Sequence, residues 1–475
     1  MKLTSLPIPI LSALLDRKEI LPSRLTEECL EQIRSRNPGL GAFLTVTEKE
    51  AMLAAAEADA RCASGARLSP LDGIPYALKD NFAADGIRTT AGSRMLAEYV
   101  PCADAAVVRR LRKAGAILLG KCNMDEFGMG NSTRFSAFMP TRNPIRPAFV
   151  PGGSSGGCAA AVKDGMAVFA IGSDTGGSVR QPAAFCGITG FKPTRGAISR
   201  DGLIAFASSL DTVGILARTP EDCLAVMRLI AGPDPHDMTC LFPTSPDAAE
   251  EEHPRIALLS GPDSEADSVP VRRMMTEAVR LLREAGCSVH SAPAPELRAA
   301  LSAYYIISSA EASSNLARYD GIRFGARAEG PTSVGSLYDR SRAEGFGDEV
   351  KRRILFGTYV LSEGSREKFY RKACKTREAL RTAFDRILED AELILCPTVP
   401  CAAFRMEERL SPSEAYRCDC HTVPASLCGL PAISIPFGTG EEGLPLSLQL
   451  IAKSGADAPL CRYAEAIFRL LSEKA

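Results

Sequence analysis

The chain has no tryptophan and only four histidines among its 475 residues. The scarcity of histidine matters for catalysis, because histidine is the usual general base for a serine nucleophile. The four histidines lie at positions 236, 253, 290 and 421, and none falls within a stretch rich in glycine and serine. If the chain is a hydrolytic enzyme, we expect its base to be another residue type.

The chain also lacks an excess of charge and a long apolar segment. Its 56 basic and 57 acidic residues give a net charge of −1, which excludes a broad basic surface, so contact with RNA needs a local patch or a partner. No apolar run reaches about 18 residues and no signal-peptide pattern opens the sequence, so we expect no membrane span. Its sixteen scattered cysteines indicate reduced thiols. These features predict a cytoplasmic protein.

Apolar periodicity and glycine punctuation predict an α/β fold around a buried sheet. The predicted strands are residues 76–78, 116–119, 167–171, 255–259, 288–290, 393–395, 432–435 and 446–451. The predicted helices are residues 23–36, 47–63, 104–114, 219–231, 268–285, 295–318, 366–390 and 457–473. We interpret residues 1–475 as one domain with a core at about 60–220 and 390–475, N-terminal helices within 1–60 and a mostly helical insertion at about 221–389.

Two glycine-rich loops that contain serines, at 152–157 and 172–178, are the first candidate site. Glycine allows backbone conformations in which successive N–H groups point the same way and can bind developing negative charge. Ser178 follows Thr175-Gly176-Gly177, so its hydroxyl lies beside such donors. Loops of this composition are also common structural turns, and the residues alone leave both interpretations open.

Lys79 is the best candidate for the base. It ends the strand-like run 76–78, so its stem is expected to be buried. Burial disfavours the ammonium and can lower its pKa from about 10.4 toward about 7–8, where a neutral amine acts as a general base. The alternative is that Lys79 forms an ion pair with the adjacent Asp80.

Two other motifs invite different chemistry. Residues 152–156 match the nucleophile elbow Gly-x-Ser-x-Gly, which makes Ser154 a nucleophile with Asp211 and His290 as partners, yet neither lies in a convincing loop at a strand end. Residues 115–122 are nearly a phosphate-binding loop. Their middle residues are apolar strand formers and a cysteine replaces the Mg²⁺-binding hydroxyl, so we predict a strand followed by a turn.

A cluster of potential metal ligands lies near the C-terminal end. Cys418, Cys420 and His421, with Cys428 as a possible fourth ligand, suggest structural zinc. The Cys-x-Cys-His spacing is tight for one tetrahedral site, and small buried thiols are the competing interpretation.

Residues 151–157 and 172–194 follow the pattern of the amidase signature family almost residue by residue, and the chain resembles that family. The resemblance implies a central mixed β-sheet covered by helices on both faces. It also implies a Ser–Ser–Lys triad in which Ser178 is the nucleophile, Ser154 the bridging serine and Lys79 the base, with no metal.

The same resemblance implies two features of the backbone. The peptide bond between Gly153 and Ser154 is expected to be cis. An oxyanion hole is expected from the backbone amides of Thr175, Gly176, Gly177 and Ser178.

Motifs outside the signature narrow the resemblance to the glutaminase components of tRNA-dependent amidotransferases. They lie at 120–127, 136–138, 141–144, 311–318, 319–323 and 345–354. This resemblance implies hydrolysis of glutamine to glutamate and ammonia. The ammonia is passed to a glutamyl group on tRNA(Gln), or an aspartyl group on tRNA(Asn), which is activated with ATP and Mg²⁺ on a separate B subunit. A small C subunit completes a heterotrimer, the misacylated tRNA is contacted mainly through the complex, and this chain itself needs no cofactor.

Glutamine recognition needs an arginine for the α-carboxylate and a carboxylate for the α-ammonium. By position within the matching motifs, the resemblance assigns these roles to Arg353 and Asp419, with Tyr304 or its neighbour Tyr305 beside them. Arg352 is a rival for Arg353.

Two segments depart from the family pattern. Residues 416–422 are more polar and richer in thiols than the usual segment, and residues 363–370 lack the expected tyrosine-rich form. These departures keep open a freestanding amidase that acts on another small amide. A catalytically silent scaffold is the third hypothesis, and the presence of all three triad residues argues against it.

Overall fold

Apolar runs of the chain form strands and the amphipathic segments between them form helices. A computed structural model describes residues 2–240, 253–260 and 267–474. The strands are β1 (Phe43–Val46), β2 (Pro75–Lys79), β3 (Ile117–Cys122), β4 (Phe169–Asp174), β5 (Thr189–Lys192), β6 (Thr212–Ala217), β7 (Arg255–Ser260), β8 (Ser288–Pro293), β9 (Leu393–Pro397), β10 (Ala432–Thr439) and β11 (Pro445–Ile451). The α-helices are α1 (Ile8–Asp16), α2 (Pro22–Leu40), α3 (Glu48–Ser64), α4 (Ala106–Lys113), α5 (Gly156–Lys163), α6 (Arg180–Cys186), α7 (Pro220–Ile230), α8 (Val269–Glu284), α9 (Ala300–Asn315), α10 (Val334–Gly345), α11 (Asp348–Leu361), α12 (Arg371–Asp390), α13 (Pro412–Arg417), α14 (Val423–Cys428) and α15 (Asp457–Lys474).

These strands form one mixed sheet in the order β1-β3-β2-β4-β6-β5-β10-β11-β9-β7-β8. The neighbours β3, β2 and β4 run parallel, as do β9, β7 and β8, and the remaining pairs are antiparallel. The predicted strand within 115–122 is β3, which confirms that this motif is not a phosphate-binding loop. None of the helices that the structure describes has the length and apolarity needed to cross a bilayer.

Alternate residues of the central strands face opposite sides of the sheet. In β4, Phe169 and Ile171 pack into one large apolar cluster, whereas Ala170 between them packs into a second. In β9, Leu395 joins the first cluster and Ile394 joins a third. The first cluster includes residues of α1, α4, α7, α8 and α15, the second residues of α3, α5 and α6, and the third residues of α9, α11, α12 and α14. Helices therefore cover both faces, and the predicted α/β fold with a mixed sheet is confirmed.

The structure adds elements to those predicted from the sequence. All eight predicted strands are present, while β1, β5 and β6 are additional. The strands β7 and β8 continue the sheet beyond β9, so residues 221–389 contribute to it as well as to the helical layer. Additional helices include α10 and α11, whose apolar residues are interrupted by charged and small ones and give no clear period.

Helices α9 and α11 pack unusually closely, and a glycine allows it. A Cβ atom built on Gly357 in α11 lies 1.9 Å from the carbonyl oxygen of Ser309 in α9. A backbone carbonyl cannot rotate away as a flexible side chain can, so any larger residue must separate the two helices. This contact matters for function because α11 carries site residues described below.

We expect Gly357→Ala to lower the free energy of unfolding by about 1–3 kcal/mol, the usual cost of forcing an extra group into a packed interface. Gly335 in α10 is a matched control, since the nearest atom to its built Cβ is Ser333 Oγ at 3.9 Å. Gly335→Ala should be neutral or stabilising by up to about 1 kcal/mol. Thermal midpoints measured by circular dichroism compare the two variants, and equal midpoints would show that α9 and α11 separate without cost.

Candidate active site

Parallel pairing of β2 and β4 brings the predicted site residues to one edge of the sheet. β2 ends at Lys79 and β4 ends at Asp174, directly before the loop 175–178. Because parallel strands have their carboxyl ends at the same edge, Lys79 and this loop lie side by side. Ser154 and Ser178 each come two residues before a short helix, α5 and α6 respectively.

Lys79 is fully buried among hydroxyl groups. Its Nζ donates to Ser154 Oγ at 2.8 Å, to Ser173 Oγ at 2.9 Å and to the carbonyl oxygen of Ser173 at 3.2 Å. Burial lowers the pKa of Lys79 to about 8, although nearby carboxylates raise it. A lysine with this pKa has a substantial neutral population near physiological pH and can accept a proton from Ser154.

The adjacent Asp80 is occupied by a different cation. Its Oδ1 lies 3.2 Å from Nζ of Lys121, and its Oδ2 accepts a hydrogen bond from the amide of Thr90 at 2.9 Å. Lys121 also donates to Thr89 Oγ1 at 2.6 Å. The structure thus pairs Asp80 with Lys121 rather than with Lys79, and leaves the Lys79 amine to the serines.

The backbone around Ser154 is held by the segments that flank it. The peptide bond between Gly153 and Ser154 is cis, as the family resemblance implies. The amide of Gly153 donates to Gln181 Oε1 at 2.8 Å, and the amide of Ser155 donates to the carbonyl oxygen of Ser178 at 3.1 Å. The two glycine-rich loops are therefore tied directly to each other.

The predicted oxyanion hole differs from the expected set at Gly177. Its amide donates to Asp174 Oδ1 at 2.9 Å and so is already engaged. Within the described part of the chain, the amides of Thr175, Gly176 and Ser178 donate to no acceptor. Gly177 instead has a conformational role, because its φ is +136° and a built Cβ lies 2.2 Å from Thr422 Oγ1.

A buried ion pair fixes the loop that carries Ser178. Arg180 Nη2 donates to Asp174 Oδ1 at 2.8 Å, and Arg180 Nη1 donates to Gln449 Oε1 at 2.6 Å and to the carbonyl oxygen of Thr422 at 2.8 Å. Burial by itself raises the pKa of Asp174, but Arg180 outweighs it and holds that pKa below its usual value. Such a pair is tolerated in the interior because its hydrogen-bonding groups are satisfied.

A cavity of about 210 Å³ opens onto Ser178 and contains all the predicted recognition residues. Its lining residues are Gly128, Met129, Gly130, Asn131, Arg134, Phe135, Gly176, Ser178, Phe206, Tyr304, Tyr305, Glu349, Arg352, Arg353, Leu410, Pro412, Ala415, Tyr416 and Asp419.

Arg353 supplies a partly unsatisfied cation to this cavity. Its Nε donates to Glu349 Oε1 at 2.7 Å, and its guanidinium lies 4.5 Å from the ring centre of Tyr305 and 4.8 Å from that of Tyr416. Arg353 Nη1 is buried and makes no hydrogen bond to the described residues. Because buried polar groups are nearly always hydrogen-bonded, this nitrogen is suited to an anion that enters the cavity. Arg352 bonds to the other oxygen of Glu349 and its side chain is 51% exposed, which favours Arg353 as the buried cation.

Asp419 supplies the complementary carboxylate, and it distinguishes the two neighbouring tyrosines. Asp419 Oδ2 accepts a hydrogen bond from the hydroxyl of Tyr305 at 2.6 Å. Tyr304 lies against the nucleophile loop instead, since a Cβ built on Gly176 is 2.4 Å from its hydroxyl oxygen. Burial raises the pKa of Asp419 to about 7, although Tyr305 and Arg353 lower it.

None of the four histidines, all of which lie in the described part of the chain, lines the cavity. His290 is exposed on β8, the last strand of the sheet, far in the strand order from the loops around Ser154. Asp211, the other proposed elbow partner, accepts hydrogen bonds from Thr175 Oγ1 and from the amide of Phe206. The nucleophile-elbow interpretation of Ser154 therefore has no base.

The cysteine-rich segment does not form a metal centre with its neighbours. His421 Nε2 lies 2.7 Å from Asp267 Oδ1 in a buried contact, and Cys418 packs in an apolar cluster with Phe404. Within residues 2–240, 253–260 and 267–474, no group of three or more histidine, cysteine, aspartate and glutamate side chains is placed to hold a metal ion.

Several site residues are not singled out by sequence patterns. Glu349 contacts Arg352, Arg353 and Tyr416, and its spacing of four residues from Arg353 is the only local signal for this pairing. Ser173 precedes Asp174 inside a strand, where a serine normally indicates nothing beyond a small residue.

Comparisons with known proteins agree with this geometry. The family model described as Amidase matches residues 24–461. The A subunit of glutamyl-tRNA(Gln) amidotransferase from Moorella thermoacetica is 47% identical, over 96% of this chain and 94% of that protein. The crystal structure of the corresponding glutamyl-tRNA(Gln) amidotransferase protein from Thermotoga maritima has a TM-score of 0.79 at 37% identity and covers 98% of this chain and 94% of its own. Native peptide amidase from Stenotrophomonas maltophilia has a TM-score of 0.83 at 28% identity, with 98% and 97% of the two chains covered. The chain belongs to the amidase family.

Proposed function

We propose that this chain is the glutaminase subunit of a tRNA-dependent amidotransferase. The observation that carries the proposal is the hydrogen bond from buried Lys79 to Ser154 beside a cavity that also contains Arg353 and Asp419. The first pair offers a base for amide hydrolysis, and the second pair matches the charges of a free amino acid. The names of the relatives in Moorella thermoacetica and Thermotoga maritima support the same assignment.

In the proposed first half-reaction, Ser178 attacks the side-chain carboxamide of glutamine. The Ser178 proton passes to Ser154, whose own proton passes to the neutral amine of Lys79. The negative charge on the carboxamide oxygen is stabilised by the free amides of Thr175, Gly176 and Ser178. The C–N bond then breaks, the proton returns from Lys79 through Ser154 to the leaving nitrogen, and ammonia departs from a γ-glutamyl ester of Ser178.

The second half-reaction regenerates the enzyme. Water loses a proton to Ser154, which passes its own proton to Lys79, and attacks the ester carbon. The C–O bond to Ser178 breaks and its oxygen regains the proton, so that one glutamine and one water give one glutamate and one ammonia.

Substrate choice in this proposal rests on a buried cation and a buried carboxylate at the far end of the cavity. Arg353 Nη1 binds the α-carboxylate, and Asp419 binds the α-ammonium while Tyr305 orients it. Tyr304 is assigned to packing against Gly176, which shapes the entrance to the nucleophile.

The wider assembly is part of the same proposal. The ammonia is consumed on a B subunit that uses ATP and Mg²⁺ to activate the glutamyl group of Glu-tRNA(Gln), or the aspartyl group of Asp-tRNA(Asn), with a C subunit completing a cytoplasmic heterotrimer. Within it, residues 1–475 form one amidase domain, which the continuity of the eleven-stranded sheet supports.

A freestanding amidase that acts on another small amide is the competing function. The fold shared with a peptide amidase and the departure from the family pattern at 416–422 favour it. Co-purification separates the two, because a lone chain that is fully active without B and C partners would support the freestanding enzyme.

The proposed nucleophile is tested by Ser178→Ala in the complex. We expect the variant to lose glutamine-dependent amidation of the misacylated tRNA while keeping the ammonia-dependent reaction, since only the ammonia supply requires Ser178. Amidated tRNA is measured with either nitrogen donor. Loss of both activities would contradict a role confined to ammonia release.

The pH profile tests the role of Lys79. Its pKa is lowered by burial to about 8, and the base must be neutral, so hydrolysis is lost as the pH falls below that value. We expect glutamate release at saturating glutamine to rise about tenfold per pH unit below the pKa and to level off above it. Lys192 is the control, because burial also lowers its pKa, to about 7, and it lies outside the cavity. Lys192→Met should keep the profile, whereas Lys79→Met should abolish hydrolysis.

Recognition is tested by Asp419→Asn. Removal of the charge should raise the KM for glutamine by about 10- to 100-fold, in line with about 1.5–3 kcal/mol for a hydrogen bond to a charged group, and change kcat by less than about threefold. Tyr305→Phe removes only the hydroxyl that Asp419 accepts, and should raise KM less. An unchanged KM for Asp419→Asn would refute the assignment of the α-ammonium site.

A further inference from the structure

Glu126 is a buried carboxylate that the proposed chemistry does not use. Its side chain is 3% exposed and accepts two hydrogen bonds. Ser93 Oγ donates to Oε1 at 2.5 Å, and the amide of Gly347 donates to Oε2 at 2.8 Å. Gly347 is the residue immediately before α11, so the carboxylate binds the free N–H end of that helix, where negative charge is favourable.

The helix that Glu126 holds carries the cation of the cavity. Glu349, Arg352 and Arg353 all lie within the first two turns of α11 and line the cavity. Because a helix of this length behaves as a rigid rod, a shift of its first residue moves the Arg353 guanidinium by a similar amount. The close approach of Gly357 to α9 fixes the helix further along, so Glu126 determines the position of its near end.

Glu126 also belongs to the opposite wall of the cavity. Its carbonyl oxygen accepts a hydrogen bond from the amide of Met129 at 2.9 Å, and Met129 lines the cavity. A Cβ built on Gly128 lies 3.6 Å from Ser154 Oγ, which places this turn against the hydroxyl that Lys79 contacts. One residue therefore joins the wall beside Ser154 to the helix that holds Arg353.

We propose that Glu126 is a positioning residue that sets the distance between the nucleophile and Arg353 and so determines the affinity for glutamine. The proposal rests on the proposed function, because it concerns recognition of that substrate. It predicts a defect in glutamine binding rather than in the chemical step.

The nature of the joint indicates which substitutions preserve it. Burial raises the pKa of Glu126 to about 7, although Ser93, Gly347, Lys351 and Arg94 lower it, so a neutral side chain of the same shape is a close substitute. Glutamine can accept from the Gly347 amide and donate to Ser93 Oγ. Alanine leaves that amide without its partner.

The test is the kinetics of glutamate release from glutamine by the purified protein with its co-purifying subunits. We expect Glu126→Ala to raise the KM for glutamine about tenfold or more with kcat changed less than about threefold, and Glu126→Gln to restore KM to within about threefold of the wild type. Gly347→Ala is an independent variant, because its φ of −74° accepts alanine while a built Cβ lies 2.4 Å from Glu126 Oε2 and must displace that carboxylate. It should raise KM in the same way.

Asp222 provides the control for a merely structural effect. It is a buried carboxylate that binds the amide of Ile8 at 2.6 Å near the start of α7, and it lies outside the cavity. Asp222→Ala should reduce stability without changing KM. Hydrogen exchange at α11 should increase in Glu126→Ala and Gly347→Ala but not in Asp222→Ala.

The outcomes separate the two proposals. Increased exchange at α11 with an unchanged KM would overturn the positioning role, as would a KM defect in Glu126→Gln equal to that of Glu126→Ala. A wild-type protein that releases no glutamate from glutamine would overturn the proposed function itself, and this inference with it.

Discussion

The site depends on keeping one amine buried and close to neutrality. Lys79 is surrounded by carboxylates, and the charges of Asp125, Asp174 and Asp211 all raise its pKa. Each of the three is bound to other groups. Asp174 is paired with Arg180, while Asp125 and Asp211 accept hydrogen bonds from backbone amides. The Lys79 amine is left to hydroxyl and carbonyl groups, so burial outweighs the attraction of the carboxylates and its pKa stays near 8.

The cavity follows the opposite rule, since it keeps polar groups unsatisfied. Arg353 has one nitrogen without a hydrogen bond among the described residues, and burial raises the pKa of Asp419 to about 7. Both conditions are unfavourable in an empty site and are relieved by a ligand that brings a carboxylate and an ammonium. Aromatic rings reinforce this preference, because Tyr305 and Tyr416 stack at 3.9 Å and flank the guanidinium.

How much could be predicted from the sequence depends on whether the signal is local. Lys79 at the end of an apolar run and the serines in glycine-rich loops were accessible, because strand ends and glycine turns are local features. The choice between Tyr304 and Tyr305 was not, since it depends on the rotation of α9 against the segment that carries Asp419. The engaged amide of Gly177 was equally hidden, because a side chain three residues earlier binds it. The predicted roles in catalysis and recognition stay predictions, while the geometry that places these residues together is observed.

The thiol-rich departure at 416–422 bears on the choice between a glutaminase and a freestanding amidase, and its geometry weakens the case for the latter. Tyr416 and Asp419 line the cavity, whereas the buried Cys418 packs into the apolar cluster with Phe404 and is not part of the lining. The unusual cysteine therefore changes the packing behind the segment and leaves the charged groups in front of it. An amidase for a neutral amide gains nothing from a buried arginine opposite a buried carboxylate, since both must lose water without a charged partner. The pairing of Arg353 with Asp419 in one cavity is for this reason a stronger guide to the substrate than the departure of the surrounding sequence.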